Sequence, residues 1–131
     1  TKCVWFNDSI VLVASSDKSI RFWNGSKLCL TLRVEAEVRD VELSKNSFKG
    51  MDILTVASGE SVYFFHLSQN ENQLTGELLY KHKMPINFHD EGGASLHPSG
   101  AKFIAGGSDL WVRVFDFESG NELECNKGHH G

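Results

Sequence analysis

A stretch of fourteen residues, Val11–Asn24 (VLVASSDKSIRFWN), recurs twice in this chain. Beneath it, without gaps, lie Ile53–His66 (ILTVASGESVYFFH) and Phe103–Asp116 (FIAGGSDLWVRVFD), which start 42 and 92 residues further on. An internal period constrains a chain more than its composition does, because each repeat is one supersecondary unit that buries its faces only by stacking on its neighbours.

The columns agree in chemistry. Leu12, Leu54 and Ile104 share one column, Ser16, Ser58 and Ser108 a second, and Ile20, Val62 and Val112 a third. Phe22, Phe64 and Val114 follow, and the aromatics Trp23, Phe65 and Phe115 close the set. Each copy is two short runs rich in Val, Ile and Phe around a polar turn, which predicts a β-hairpin. A lone hairpin is marginal in water, so the copies must stack into an all-β array.

The pairs Trp23-Asn24 and Phe115-Asp116 resemble the Trp-Asp dipeptide of the WD40 family, and an aspartate stands six residues before the aromatic in both, Asp17 and Asp109. Repeat spacings of 42 and then 50 residues sit at or just above the roughly 40–45 of one four-stranded propeller blade. The resemblance implies an all-β fold of about three four-stranded antiparallel blades, part of a seven-bladed propeller. Blades are expected at 1–34, 35–82 and 83–127, with 128–131 opening the next repeat. Propellers close with roughly four to eight blades, so the chain is expected to be a piece of a longer protein. Its open sheet surfaces are expected to make it self-associate.

The other strands follow from this frame. Lys2–Phe6 and Lys27–Arg33 flank the first hairpin, with Asn24-Gly25-Ser26 as a tight turn. In the second blade, Val38–Leu43 leads through a polar loop, 44–50, into the hairpin, and a polar insertion, 68–76, precedes a fourth strand at Glu77–His82. Its turn carries Gly59-Glu60 and lacks the aspartate. In the third, Gly93–His97, Lys102–Gly107, Trp111–Phe117 and Glu122–Cys125 supply the strands, around a His97-Pro98-Ser99-Gly100 turn of the family's Ser-Pro-Asp-Gly type. Gly128-His129 stands where the family begins its next repeat, with His129 as a hydrogen-bonding repeat residue.

The side chains give little support to catalysis or metal binding. Thirteen basic and 17 acidic residues, net −4, spread without runs and create no field for phosphate, so no direct contact with nucleic acid is expected. Cys3, Cys29 and Cys125 form no CxxC, and the six histidines fall into no paired ligand spacing, so neither metal nor cofactor is expected. No serine sits in a GxSxG elbow, and Asp90-Glu91 beside Gly92-Gly93 reads as a solvated loop, so no catalytic residue and no small-molecule substrate are assigned. The sequons Asn7-Asp8-Ser9 and Asn24-Gly25-Ser26 fall in predicted turns. No apolar run approaches 18 residues, so no membrane-spanning helix is predicted.

What remains is structural and surface chemistry. Asp17 and Asp109 are expected under their turns, hydrogen-bonded to an indole N–H or to backbone amides; Phe115, with no donor, cannot complete that network. Arg21, Tyr63 and Arg113 share a column two residues before the aromatic, on one face of each third strand. Arg and Tyr are enriched in binding hot spots, which makes this column a candidate protein interface as well as a candidate packing position between blades.

The runs Ala94–Pro98 (ASLHP), Ile104–Asp109 (IAGGSD) and Val114–Gly128 (VFDFESGNELECNKG), with Asp17–Trp23 (DKSIRFW) and Val4-Trp5, resemble one branch of the WD40 family more closely. That resemblance implies a non-enzymatic scaffold of cytoplasm and nucleus. Its implied partners are survival-of-motor-neuron and Gemin proteins in spliceosomal ribonucleoprotein assembly, and receptor kinases in transforming-growth-factor-β signalling. The alternatives are the propeller subunit of translation initiation factor three and, less consistent with the residues, a catalytic propeller of the hydrolase kind.

Overall fold

In a computed structural model of the chain, the described residues are 2–15, 17–70, 73–88, 93–106 and 111–127. They form eleven strands: β1 (Lys2–Trp5), β2 (Ile10–Ser15), β3 (Ser19–Asn24), β4 (Lys27–Arg33), β5 (Val38–Phe48), β6 (Met51–Asn70), β7 (Gln73–Phe88), β8 (Gly93–Leu96), β9 (Lys102–Gly106), β10 (Trp111–Asp116) and β11 (Glu122–Lys127). These make three antiparallel sheets, β1-β2-β3-β4, β5-β6-β7 and β8-β9-β10-β11. The sheets stack in chain order.

The first and last sheets are the same object displaced by 92 residues. Leu12 pairs with Phe22 and Ala14 with Ile20; Ile104 pairs with Val114 and Gly106 with Val112. A register shift follows at one column in every sheet, between Phe22 and Trp23, Phe64 and Phe65, and Val114 and Phe115. Such a β-bulge bends the strand pair and re-aims the next side chain. The shift falls just before the closing aromatic of each repeat.

The middle sheet departs from the gapless alignment by one residue. Ile53, Ala57, Val62 and Phe64 pack in one core cluster, whereas Leu54, Val56, Tyr63 and Phe65 pack in the other. Along a straight strand, residues an even number apart share a face, so Ile53 and Tyr63 would lie together; they do not. The long β6 thus folds back at Gly59-Glu60, where Gly59 has φ +59°. A two-residue turn of this kind needs positive φ. In the first sheet Ser15 pairs with Ser19 around a three-residue turn that ends at Lys18, φ 68°. The shorter turn moves Thr55, and not Leu54, into the column of Leu12 and Ile104, and Ile53 into that of Ile10.

Two expected polar loops are strand instead. β5 runs to Phe48, which pairs with Met51, across the stretch 44–50. The insertion at 68–76 extends β6 and β7 as a hairpin in which Ser68 pairs with Thr75 and Asn70 with Gln73. β7 also runs past His82 to Phe88.

Each sheet has a front, toward the next sheet in the chain, and a rear, toward the preceding one. The front of the first sheet, Leu12, Ala14, Ile20 and Phe22, meets the rear of the middle sheet, Leu54, Val56, Tyr63 and Phe65. The front of the middle sheet meets Phe103, Ala105 and Phe115 on the rear of the last. The middle hairpin is therefore apolar on both faces, as its near-continuous run of buried residues requires.

Candidate protein-interaction surface

The turn of the first repeat is a closed polar network. The Asp17 carboxylate accepts hydrogen bonds from Ser15 Oγ (2.8 Å) and Ser19 Oγ (2.6 Å) and pairs with Arg21 Nη2 at 2.9 Å. The Ser19 hydroxyl first, then the Arg21 guanidinium and the Ser15 hydroxyl, hold its carboxyl well below the usual carboxylate range. The aspartate is exposed, with no burial under the turn, and its partners are these three side chains and not the Trp23 indole. Hydroxyls two residues to either side reach it sooner than an indole six residues away. Asp109 and His129 lie outside the described residues.

The column Arg21, Tyr63, Arg113 lies on the rear of each sheet, and the three environments differ. Tyr63 is buried between the first two sheets, stacked on Phe65 with ring centroids 6.1 Å apart, and its hydroxyl accepts the backbone N–H of Glu35 at 3.2 Å. Arg113 lies opposite Ala105 against the middle sheet, 17% exposed, with its Nε 3.4 Å from Glu122. Arg21 faces outward on the first sheet at 30% exposure. The position is one at which sheets meet.

Among the other repeat positions, Phe65 and Phe115 are buried and Trp23 is half-buried. Asp116, closing the third repeat, accepts the backbone N–H of Ser119 at 2.9 Å, which lowers its carboxyl affinity for protons.

Two of the histidines have structural roles. His82 is stacked between Tyr80 and Phe103 (centroids 5.7 and 5.8 Å), and its Nε2–H donates to the Phe117 carbonyl at 2.7 Å. This ties the middle sheet to the β10–β11 turn, where Gly120, φ +76°, leaves room for the imidazole that no Cβ would spare. His97 Nδ1 accepts the backbone N–H of Ser99 at 3.0 Å within the turn. Among the described residues, no three His, Cys, Asp or Glu side chains come together to hold a metal ion. Asn7, of the first sequon, uses its carboxamide oxygen to accept the N–H groups of Ser9 and Ile10, both at 2.8 Å.

Two clefts flank the join between the first and middle sheets. One, of about 620 Å³, lies beside the Gly59-Glu60 turn and is lined by Glu35, Ser61, Tyr63, Lys81 and Lys83. Lys81 Nζ lies 2.7 Å from Glu35, and that hydrogen bond is the main reason its ammonium holds its proton more tightly than usual. The other, of about 320 Å³, lies where the two lengthened connections of the middle sheet project beside Phe6 and Asn7. There Lys45 sits over the Phe6 ring at 3.6 Å, and Asn7 Nδ2 donates to Gln69 Oε1 at 3.1 Å. The lengthened hairpins read as loops in the sequence because their residues are polar; the larger second spacing signals the one at 68–76, and nothing in the spacing signals the one at 44–50.

Stacked antiparallel sheets with a shared bulge, the middle one completed by the fold-back of β6, define a segment of a β-propeller, and solved structures agree. The chain superposes on the β-propeller domain of Cps50 (Swd1) from Myceliophteria thermophila with a TM-score of 0.73 at 9% identity, covering 97% of this chain and 40% of that one. It superposes on the WD40 β-propeller domain of Doa1 with a TM-score of 0.62 at 21% identity, covering 95% and 38%.

In sequence the chain is similar to the serine-threonine kinase receptor-associated protein of Dictyostelium discoideum, 39% identical over 126 residues that cover 95% of this chain and 39% of that protein. The Gallus gallus and Homo sapiens proteins of the same name are 29% and 26% identical over 133 residues. The chain thus spans between a third and two-fifths of the length of these relatives, 34% to 39%. No protein-family model matches the chain.

Proposed function

We propose that the chain is part of a non-catalytic WD40 scaffold that holds other proteins together. The observation that carries this reading is the 39% identity over 126 residues to a protein named for its association with a serine-threonine kinase receptor. The fold supports it: a stack of rigid sheets offers loops and inter-sheet clefts as recognition surface.

In finer detail, the scaffold works in survival-of-motor-neuron-linked assembly of spliceosomal ribonucleoproteins and in transforming-growth-factor-β receptor signalling. Its partners are survival-of-motor-neuron and Gemin proteins and receptor kinases, met in cytoplasm and nucleus. With a net charge of −4, it reaches ribonucleoproteins through their proteins and not through phosphate.

Affinity capture of the natural protein from its own cells, followed by mass spectrometry, tests this. Survival-of-motor-neuron and Gemin proteins, or receptor kinases, are expected to co-purify. Recovery of translation initiation factor three subunits in their place would overturn the assignment and leave the fold standing.

A further inference from the structure

Of the asparagines in the chain, Asn24 alone is followed by glycine. The pair closes the first repeat and opens the β3–β4 turn, a two-residue loop across which Asn24 pairs with Lys27 and in which Gly25 takes φ +60°. Asn24 is exposed, and among the described residues nothing engages its carboxamide. It lies on the face turned to the middle sheet, because Ile10, directly across from it, belongs to the core between the two sheets. Its exposure therefore owes nothing to what precedes the first sheet. We propose that Asn24 is a deamidation site, at which the chain itself converts Trp23-Asn24 into a tryptophan followed by an acidic residue.

The reaction needs only the chain and water. The backbone nitrogen of Gly25, having given its proton to a base, attacks Cγ of Asn24; the N–Cγ bond forms, the Cγ–Nδ2 bond breaks, and Nδ2 leaves as ammonia. Water then opens the cyclic imide. Attack at Cγ restores the main chain with a side-chain carboxylate, and attack at the backbone carbonyl leaves the main chain running through Cβ and Cγ, as isoaspartate. The turn leaves room for the first step. Gly25 has no side chain to obstruct its own nitrogen, and a Cβ placed there would meet nothing within 4 Å. Asn7, by contrast, is held through its carboxamide by Ser9, Ile10 and Gln69. The third repeat shows what a carboxylate gains in this column, where Asp116 accepts the backbone N–H of Ser119 at 2.9 Å. At Asn24 it would stand across from Lys27, a cross-strand pair of opposite charge. Isoaspartate instead inserts a methylene into the main chain and breaks the pairings with Ile10 and Lys27. The two products therefore tighten and loosen the same hairpin.

Ageing of the folded protein at mildly alkaline pH, with tryptic digestion and mass spectrometry at intervals, tests this. Trypsin cuts after Arg21 and Lys27 and releases residues 22–27 as one peptide. That peptide is expected to take on the mass of an acid in place of an amide before any other asparagine-containing peptide does. It should split into two products of equal mass, of which a protease that cuts before aspartate cleaves one. Conversion should quicken as the pH rises, because the attacking nitrogen must lose its proton. Asn24→Gln should keep its mass over the same interval, with an unchanged circular dichroism spectrum. The aspartate form, reproduced by Asn24→Asp, is expected to melt no lower than the parent, and the isoaspartate form lower. Conversion first at another asparagine, or conversion of residues 22–27 only in denaturant, would overturn the proposal. So would an isoaspartate form that melts above the aspartate one.

Discussion

The middle sheet and its two neighbours are built from the same repeat, yet they bury it differently. In the middle hairpin Ile53, Leu54, Val56, Val62 and Phe64 have no exposure at all, so both faces are core. In the last sheet Phe103 is wholly buried and Ile104, beside it, is not. The repeat makes each strand apolar on both faces, and position in the stack decides which faces are used. The middle sheet acts as the keystone of the three. It also carries the departures from the repeat, the two-residue turn and the two lengthened hairpins, so stability and individuality fall on one element.

Truncation should separate the two classes of sheet most widely. Phe64 touches Phe103 and Phe117 at 4.8 and 4.7 Å between centroids, and Phe64→Ala is expected to cost about 3–5 kcal/mol by chemical denaturation. Val112→Ala, at an exposed position of the last sheet, should cost no more than about 0.5 kcal/mol. Equal losses would break the comparison.

The inter-sheet hydrogen bond should matter less. Tyr63→Phe keeps the ring and its stacking but removes the acceptor of the Glu35 N–H, an expected loss of about 1 kcal/mol. The third effect reverses sign. Thr55 is buried, and its hydroxyl finds no hydrogen-bond partner among the described residues; Thr55→Val should therefore raise stability, by up to about 1 kcal/mol.

The smallest effect lies in the exposed turn of the first sheet. Because the Asp17 carboxyl is depressed in the folded chain, its contribution is complete above the unfolded value, roughly 3.9. It fades as the pH falls from there toward the folded value. Asp17→Asn should flatten the acid limb of the stability profile and leave the neutral region nearly unchanged. An Asp17 carboxyl that titrates by NMR at its ordinary value would contradict the network.

How far the sequence could be read followed from what each feature depends on. Hairpins are set by apolar alternation and turn residues, which are local and visible, so the strands of the first sheet fall within a residue or two of their expected places; the shared bulge after the fourth column had no such signal. The one-residue slip at Gly59-Glu60 was hidden because Ile53-Leu54 and Val56-Ala57 are apolar at adjacent positions. When both faces are buried, alternation no longer fixes register. The lengthened hairpins were hidden for the opposite reason, since polar residues at the edge of a sheet look like loop. At the candidate surface, the column Arg21, Tyr63, Arg113 was legible as a shared face. Its place between sheets depends on stacking, which no single repeat reveals.

Native-state hydrogen exchange on the folded chain tests the central claim, that one repeat is stacked three times with the middle copy as keystone. Amides of Ile53–Ala57 and Val62–Phe65 are expected to exchange most slowly, at rates set by global opening, with β1 and β11 fastest among the strands. Uniform protection across the three sheets, or slowest exchange in the first or last, would contradict it.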